Sequence, residues 1–246
     1  MISFNKDQVY IVTGASSGLG EGTALLLNEL GATVIGIARN EERLNAMKAK
    51  CKNPDNMHIE IKDLTEDIEG LPQYVKELKE KYGKFSGMAY CAGISGLVPL
   101  RALDYDSLQQ MFQINYFAPI LMTKGVVDKR NNIGSGTSIV AISSISSLCS
   151  DKGHIAYAGS KSALCASLKS ISKEVISNGI RVNCVLPSNI KTAMTSSEGY
   201  EESQKDLYPL GFGEAMDVAN LIAYLLSEKS KFISGQSYVI DTGVVR

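Results

Sequence analysis

The sequence predicts an α/β fold in which a doubly wound, mostly parallel sheet carries helices on both faces. Two observations predict it: short β-rich runs alternate with helical stretches along the whole chain, and no linker or internal repeat interrupts the alternation. Strands that alternate with helices form parallel sheets with helical layers above and below. Residues 1–246 are therefore expected to form a single domain.

The predicted elements follow one another in a regular order. β-rich runs occupy residues 8–12, 33–38, 58–61, 87–91, 138–142, 180–185 and 237–240, and helical stretches occupy about 19–30, 41–51, 71–82, 107–128, 157–178 and 217–227. A doubly wound sheet binds ligands beyond the carboxyl ends of its strands. The residues that follow each strand are therefore the candidates for a binding site.

The overall composition excludes several classes of protein. The 246 residues are 44% hydrophobic and 21% charged, which allows a sizeable core and excludes a disordered chain. The 25 basic and 26 acidic residues give a formal charge of −1. No global field is therefore expected to attract nucleic acid or a membrane.

The cysteines, the histidines and the N-terminus indicate a metal-free, cytoplasmic protein. The five cysteines share no CxxC spacing and are interpreted as reduced, mostly buried thiols, while the two histidines, His58 and His154, lie far apart. Neither set has the spacing of a metal site. The first residues lack the basic and apolar regions of a signal peptide. The most apolar region, 22–38, is interrupted by Asn28 and Glu29, so no membrane span is expected.

A glycine-rich turn follows the first predicted strand. In Thr13-Gly14-Ala15-Ser16-Ser17-Gly18-Leu19-Gly20, the glycines permit a tight turn, a close backbone approach to a pyrophosphate and close packing of helix on strand. The helix that follows adds N–H groups and a partial positive charge for the phosphates. The turn therefore indicates a dinucleotide site, although its G-x-x-x-G-x-G spacing differs from the commoner G-x-G-x-x-G.

With this motif the chain resembles the classical short-chain dehydrogenase/reductase family, whose glycine motif is T-G-x-x-x-G-x-G. The resemblance continues, in the family's order and intervals, through Ala92-Gly93, Asn115, Ser144, Tyr157, Lys161, Pro187 and Asp241-Thr242-Gly243. It implies a Rossmann-type fold and an oxidoreductase that transfers a hydride between a nicotinamide cofactor and a carbonyl or secondary alcohol. In length and motifs the chain is similar to 3-oxoacyl carrier-protein reductases.

The resemblance also implies roles for individual residues. Asn115, Ser144, Tyr157 and Lys161 match the family's catalytic set, with Tyr157 as the general acid or base. The implied nucleotide-binding positions are Gly14, Ser16, Ser17, Gly18, Leu19, Gly20, Asp63, Leu64, Ala92, Gly93, Tyr157, Lys161, Pro187, Ile190 and Thr192.

Tyr157 and Lys161 lie four residues apart, so one face of a helix presents both. A free tyrosine has a pKa of about 10, and a nearby ammonium together with the oxidised nicotinamide ring would lower it. Ser144 is implied to bind the substrate oxygen, with Ser143 as the alternative register. Asn115 is implied to hold a water that links Lys161 to solvent, or else it forms a buried hydrogen bond between helix and strand.

The choice of cofactor depends on the end of the second strand. An acidic residue there would bond the ribose 2′-hydroxyl and repel a 2′-phosphate, but the chain has Ala38 followed by Arg39. A guanidinium suits phosphate through its charge and bidentate geometry, with Asn40 as a supplementary contact. We therefore predict NADP(H), the alternative being that Arg39 is a solvated residue at the start of a charged helix.

Asp63 and Leu64 follow the third strand and resemble the family's pair at the adenine ring. The carboxylate would accept a hydrogen bond from the exocyclic amine, and Leu64 would cover one face of the ring. An equally weighted alternative is that Asp63 caps a helix.

The substrate is not identified by the sequence. The long segment from Ser188 to Gly213 is of the length that forms functional lids or disordered loops. A partly apolar substrate pocket is predicted from Ile94, Leu97, Leu148, Cys149, Met194 and Tyr200, although Cys149 is more simply a packed thiol. An acyl carrier protein would need a basic patch, for which Lys129, Arg130 and Lys173 are the candidates.

Two functions remain after these arguments. The first is an NADP-dependent carbonyl reductase or alcohol dehydrogenase, and the second is a dinucleotide-sensing regulator that keeps the fold without catalysis. The complete set of Asn115, Ser144, Tyr157 and Lys161 favours the enzyme.

The family resemblance further predicts a homotetramer that uses the last strand and the long helices at 107–128 and 157–178, with a dimer as the alternative.

Overall fold

A computed structural model describes residues 1–192, 200–204, 206–208 and 210–244. Seven strands form one sheet: β1 (Val9–Thr13), β2 (Thr33–Ala38), β3 (Met57–Ile61), β4 (Phe85–Tyr90), β5 (Ser138–Ile142), β6 (Arg181–Pro187) and β7 (Ser237–Ile240). Their order is β3-β2-β1-β4-β5-β6-β7, and every neighbouring pair is parallel. The predicted doubly wound parallel sheet is confirmed.

The strand order reverses at β1, which lies between β2 and β4. Thr13, the last residue of β1, stands opposite Ile37 of β2 on one side and Tyr90 of β4 on the other. The chain winds outward through β2 and β3 in its first half and through β4 to β7 in its second half. Ligand crevices form at such a switch point, outside the carboxyl ends of the strands.

Helices cover both faces of the sheet. They are α1 (Gly18–Glu29), α2 (Glu41–Lys48), α3 (Leu71–Tyr82), α4 (Tyr105–Phe112), α5 (Ala118–Val127), α6 (Ile155–Val175), α7 (Tyr200–Ser203) and α8 (Ala215–Leu226). One buried cluster joins the sheet to α3, α5 and α6, and a second joins it to α1, α2 and α8. Because both faces are buried, the central strands are nearly continuous apolar runs.

One predicted helix consists of two helices joined by a widened turn. A single helix is expected at 107–128, whereas the structure has α4, a π-helical segment at Gln113–Phe117 and then α5. Hydrophobic periodicity does not reveal the wider turn, because the apolar positions continue on both sides of it. The segment contains the fully buried Asn115, and π-helical turns occur frequently at functional sites.

The end of α6 differs from the sequence prediction of a helix over 157–178. The α-helix runs from Ile155 to Val175, and a 3-10 turn at Ile176–Asn178 follows. Gly179 then adopts the left-handed conformation with φ of 74°, which ends the helix as a C-terminal glycine does.

The expectation of mostly buried cysteines is wrong. Cys184 is buried and Cys149 is exposed, while Cys51, Cys91 and Cys165 are half-buried, and all five are free thiols. Cys149 follows a 3-10 turn at Ile145–Ser147 after β5, where the chain runs over the surface.

No described helix combines the length and the apolar character that a bilayer crossing requires. Within the same part of the chain, no group of three or more His, Cys, Asp or Glu side chains is arranged to hold a metal ion.

Candidate active site

The turn after β1 is held against the segment that follows β4. The Thr13 hydroxyl oxygen accepts hydrogen bonds from the backbone N–H groups of Cys91 and Ala92, both at 3.1 Å. Gly14 has φ of 68°, and a Cβ built on it would lie 3.0 Å from the Ala92 backbone. This approach between two backbones requires glycine, and it forms the floor of an opening at the carboxyl edge of the sheet.

The helix α1 begins directly from this turn. A Cβ built on Gly20 would lie 2.2 Å from the carbonyl oxygen of Gly14, so a side chain there would force α1 away from the turn. The unpaired N–H groups and partial positive charge at the N-terminus of α1 are thereby brought to the edge of the opening. This cradle fits the pyrophosphate of a dinucleotide.

Arg39 lies at the carboxyl end of β2 and pairs with Asp63. Its guanidinium is 3.3 Å from the Asp63 carboxylate, and the Arg39 side chain is 74% exposed. Burial alone would raise the pKa of Asp63, but hydrogen bonds from Thr65 and from Arg39 outweigh it and lower the pKa. An exposed pair of this kind contributes little stability, so the guanidinium is able to exchange its partner.

Asp63 belongs to a turn rather than to a helix cap. Its Oδ1 accepts from the backbone N–H of Thr65 at 2.8 Å and from the Thr65 hydroxyl at 2.6 Å. No helix among the described residues begins at Asp63, so the capping alternative is wrong. Leu64 is buried in the core beneath this turn.

Asn40 caps α2, since its side-chain oxygen accepts from the backbone N–H of Arg43 at 2.8 Å. The cap turns the first residues of α2 toward the opening, where Arg43 lines the wall, as does Lys62 after β3. Sequence reasoning missed both cations. No sequence signal indicated either cation, because Arg39 precedes α2 and the four-residue helical spacing does not connect it with Arg43.

The two candidate serines after β5 have different partners. The Ser143 hydroxyl donates to the backbone carbonyl of Lys161 at 3.0 Å and is thereby used in packing. The Ser144 hydroxyl accepts from the backbone N–H of Ser146 at 3.1 Å, and Ser144 lines the same cleft as Tyr157. This geometry favours Ser144 over Ser143 as the residue that meets a substrate.

Lys161 is buried, with 4% of its surface exposed. Its Nζ donates to the carbonyl oxygen of Ile142 at 2.8 Å and lies 5.9 Å from the centroid of the Tyr157 ring. Burial lowers the pKa of Lys161 to about 8. Most of the ammonium form is therefore retained at neutral pH.

Burial also raises the pKa of Tyr157, and the effect of the Ser144 hydroxyl, which lowers this pKa, only partly opposes it. The protein's own groups therefore do not lower the phenol's pKa as the sequence argument expects, because desolvation dominates. The phenol remains protonated at neutral pH, which is the form that can donate a proton.

Asn115 anchors the segment after β4. Its amide accepts from the backbone N–H of Ile94 at 3.1 Å and donates to the carbonyl of Ile94 at 2.9 Å. A Cβ built on Gly93 would lie 2.9 Å from Asn115 Oδ1 and 3.4 Å from Lys161 Nζ. The structure thus contains the buried hydrogen bonds of the second interpretation, and the water-holding role stays a prediction.

The segment after β6 packs against the glycine turn that follows β1, on the side opposite the segment after β4. Pro187 ends β6, and Ile190 forms a parallel bridge with Gly213. A Cβ built on Gly18 would lie 3.2 Å from the methyl carbon of Thr192. Thr192 therefore packs directly over the start of α1.

These groups line one cleft of about 1030 Å³. Of the catalytic and nucleotide-binding residues predicted from the sequence, all except Asn115 line it: Gly14, Ser16, Ser17, Gly18, Leu19, Gly20, Arg39, Asn40, Asp63, Leu64, Ala92, Gly93, Ser144, Tyr157, Lys161, Pro187, Ile190 and Thr192. Asn115 lies behind the wall. The cleft joins the phosphate cradle at one end to the Ser144–Tyr157 pair at the other.

The predicted substrate pocket is only partly reproduced. Ile94 lines the cleft, together with Gln110 and Ile114, which sequence reasoning missed. Leu97 and Leu148 are 66% and 58% exposed and lie outside the described lining, as does the exposed Cys149. Met194 and the side chain of Tyr200 lie outside the described residues.

Comparison with known proteins identifies the class. A family model described as enoyl-(acyl carrier protein) reductase matches residues 14–245. The chain is 32% identical over 247 residues to a 3-oxoacyl-(acyl-carrier-protein) reductase of Thermotoga maritima, covering 98% of each chain. It is 34% identical over 241 residues to the Rickettsia felis enzyme of the same name, covering 96% of this chain and 95% of the relative.

Solved structures give the same result. A dehydrogenase/reductase from Sinorhizobium meliloti superposes with a TM-score of 0.90 at 27% identity, covering 99% of this chain and 97% of that one. A short-chain type dehydrogenase/reductase from Mycobacterium ulcerans superposes with a TM-score of 0.89 at 28% identity, covering 99% and 91%. The chain belongs to the short-chain dehydrogenase/reductase family and is an oxidoreductase, similar to 3-oxoacyl-(acyl-carrier-protein) reductases. The family uses a nicotinamide dinucleotide.

Proposed function

We propose that the chain is an NADPH-dependent reductase of 3-oxoacyl thioesters that works as one domain in the cytoplasm. The observation that carries this proposal is the single cleft that joins the phosphate cradle of α1 to Ser144, Tyr157 and Lys161. A dinucleotide with its pyrophosphate at α1 would place its nicotinamide at the tyrosine end. The names of the curated relatives support the choice of substrate.

The chain's own residues account for proton transfer. The hydroxyls of Ser144 and Tyr157 would donate hydrogen bonds to the substrate carbonyl oxygen and so orient the substrate. A bound nicotinamide dinucleotide would supply the hydride. As negative charge develops on the oxygen, Tyr157 gives it the phenolic proton, and the Lys161 ammonium stabilises the phenolate that remains.

Three cations support NADPH rather than NADH. Arg39, Arg43 and Lys62 line the end of the cleft that Ala38 also lines, and Ala38 brings no carboxylate to repel a 2′-phosphate. Asp63 does bring a carboxylate, but it already accepts two hydrogen bonds from Thr65. A phosphate would therefore replace Asp63 as the partner of Arg39, and Asp63 would keep its two hydrogen bonds from Thr65.

A comparison of the two serines tests the proposed substrate contact. Ser144→Ala removes the hydroxyl that meets the substrate oxygen and is expected to lower kcat about 10²–10³-fold, the usual effect of removing an oxyanion-binding donor. Ser143→Ala removes one internal hydrogen bond and is expected to lower the free energy of unfolding by about 1 kcal/mol with kcat nearly unchanged. Steady-state kinetics and urea denaturation of both variants check this. The reverse order of kcat losses would contradict the assignment of Ser144.

Docking of an acyl carrier protein is assigned to exposed cations at the C-terminal ends of α5 and α6. Arg130 is bound to Asp128 through contacts of 2.9 and 2.6 Å, so its charge is compensated. Lys129 and Lys173 are exposed, and the proposal assigns the docking contacts to them.

Carrier-bound and short thioesters of the same 3-oxoacyl group test both parts of the proposal. Lys129→Glu combined with Lys173→Glu is expected to raise KM about tenfold or more for the carrier-bound substrate and to leave KM for the short thioester unchanged, because like charges then oppose the acidic carrier. Lys6→Glu, an exposed change before the amino end of β1, is the control. Equal KM shifts for both substrates would refute the docking assignment.

The same two thioesters test the substrate class. Turnover of diketones, ketosteroids or keto sugars, but of neither thioester, would refute the assignment to 3-oxoacyl thioesters.

We further propose a homotetramer. The edge strand β7 carries the partly exposed Val239, and Phe232 is 99% exposed nearby in the chain; both give apolar surface for a partner copy. Light scattering at micromolar concentration is expected to give the tetramer mass, and a monomer would contradict it. No observation specifically favours the catalytically silent sensor.

A further inference from the structure

The backbone of Lys62 holds this residue at the wall of the cleft. Lys62 follows β3 directly, and its backbone N–H donates to the carbonyl oxygen of Ala38 at 3.0 Å, so the pairing of β2 with β3 continues one residue beyond Ile61. Lys62 and Ala38 both line the cleft. The lysine side chain therefore starts beside the end of β2, next to the predicted phosphate contact Arg39.

The Lys62 ammonium lies over an aromatic ring. Its Nζ is 5.8 Å from the centroid of the Tyr74 ring on α3, a distance at which a cation is attracted to the ring face. Among the described residues no carboxylate forms an ion pair with Lys62, whereas Arg39 is paired with Asp63. The ring thus positions the Lys62 charge without neutralising it.

Tyr74 presents its ring, and not its hydroxyl, to this contact. The ring packs against the buried cluster that joins the sheet to α3, α5 and α6. The hydroxyl is buried and has no hydrogen-bond partner in the part of the chain that the structure describes. A buried tyrosine hydroxyl usually forms a hydrogen bond, so the hydroxyl gives no reason for a tyrosine at this position. The ring face is therefore the part of Tyr74 that acts on Lys62.

We propose that Lys62, positioned by the Tyr74 ring, is a second group that recognises the 2′-phosphate of NADPH. The inference rests on the proposed function, because it places an adenosine 2′-phosphate at this end of the cleft. An ammonium without an internal ion pair can meet the phosphate directly, whereas the Arg39 guanidinium has to leave Asp63 first. Lys62 thus contributes to cofactor choice in addition to Arg39, and Tyr74 contributes only through Lys62.

Titration calorimetry with two adenosine ligands tests the role of the lysine. Adenosine 2′,5′-bisphosphate carries the 2′-phosphate, 5′-AMP lacks it, and neither ligand requires turnover. Lys62→Met is expected to weaken binding of the bisphosphate about tenfold or more, the effect of losing one charge-assisted hydrogen bond, and to leave binding of AMP unchanged. Lys76→Met removes an exposed cation of α3 that does not line the cleft, and this control is expected to change neither affinity.

Removal of the aromatic ring tests the positioning role of Tyr74. Tyr74→Leu is expected to weaken binding of the bisphosphate about two- to fivefold, the usual effect of an exposed cation–π contact, and to have no further effect once Lys62→Met is present. Tyr74→Met, whose flexible side chain adapts to irregular space, serves where leucine prevents folding. Tyr74→Phe keeps the ring and is expected to bind both ligands as the unmodified chain does.

The outcomes separate this inference from the proposed function. Equal affinity of the unmodified chain for the two ligands would refute the NADPH preference and, with it, the role of Lys62. A preference for the bisphosphate that Lys62→Met leaves intact would overturn the role of Lys62 while the NADPH proposal stands. Equal losses for both ligands in Lys62→Met would also overturn it. An effect of Tyr74→Leu that persists in the Lys62→Met background would show a merely structural tyrosine and overturn the positioning role.

Discussion

Replacing Tyr157 by phenylalanine is expected to lower kcat by about 10²–10⁴-fold, the usual contribution of a general acid. The phenol lines the cleft together with Ser144 and Lys161, and it keeps its proton at neutral pH because burial raises its pKa. Phenylalanine preserves the ring and its packing. Nucleotide binding, measured by fluorescence titration, is therefore expected to persist while turnover is lost.

The matched control is Tyr74→Phe. The Tyr74 hydroxyl is buried on α3 without a hydrogen-bond partner among the described residues, and Tyr74 lies outside the cleft lining. Its loss is expected to leave kcat unchanged. If Tyr157→Phe retained more than about a tenth of kcat, the assignment of the proton donor would be wrong.

A preference for NADPH over NADH of at least about tenfold in kcat/KM is expected for the unmodified chain. A charge-assisted hydrogen bond contributes roughly 1.5–3 kcal/mol, or about 10–150-fold, and Arg39 is placed to make one with a 2′-phosphate. Ala38→Asp combined with Arg39→Ile is expected to reverse the preference, because it installs an acceptor for the ribose hydroxyl and removes the guanidinium. Steady-state kinetics with both cofactors measure the effect.

Arg130→Ile is the control for this exchange. Arg130, like Arg39, is an exposed arginine paired with an aspartate, but it does not line the cleft. With a short thioester as substrate, the cofactor ratio is expected to stay at the value of the unmodified chain. Equal rates with the two cofactors, or a preference for NADH, in the unmodified chain would disprove the NADP assignment.

The sheet and most helices could be predicted because their signals are local. β2 has the predicted bounds, and α3 likewise spans Leu71–Tyr82, since apolar periodicity and flanking glycines mark these elements directly. The π-helical turn around Asn115 could not be predicted. It depends on tertiary contacts, the two hydrogen bonds to Ile94, which no periodicity encodes.

The candidate site was also predictable where its signals are local and not predictable where it depends on tertiary contacts. The glycine turn and the Tyr157–Lys161 spacing are sequence motifs, and the fold brings both to one cleft. The pairing of Arg39 with Asp63 and the approach of Lys62 arise between residues that follow different strands, so sequence order alone did not reveal them. The raised pKa of Tyr157 also escaped prediction, because desolvation depends on the packed structure.

Deuterium labelling of the cofactor tests most directly whether the chain transfers a hydride to its substrate. The chain is incubated with a 3-oxoacyl thioester and NADPH that carries deuterium at the transferable positions of its nicotinamide, and the product is analysed by mass spectrometry. We expect a 3-hydroxyacyl thioester with one deuterium on the former carbonyl carbon, formed in equal amount to the NADP⁺ produced. Binding of NADPH without any labelled alcohol, with this substrate and with the other carbonyl classes, would contradict the account.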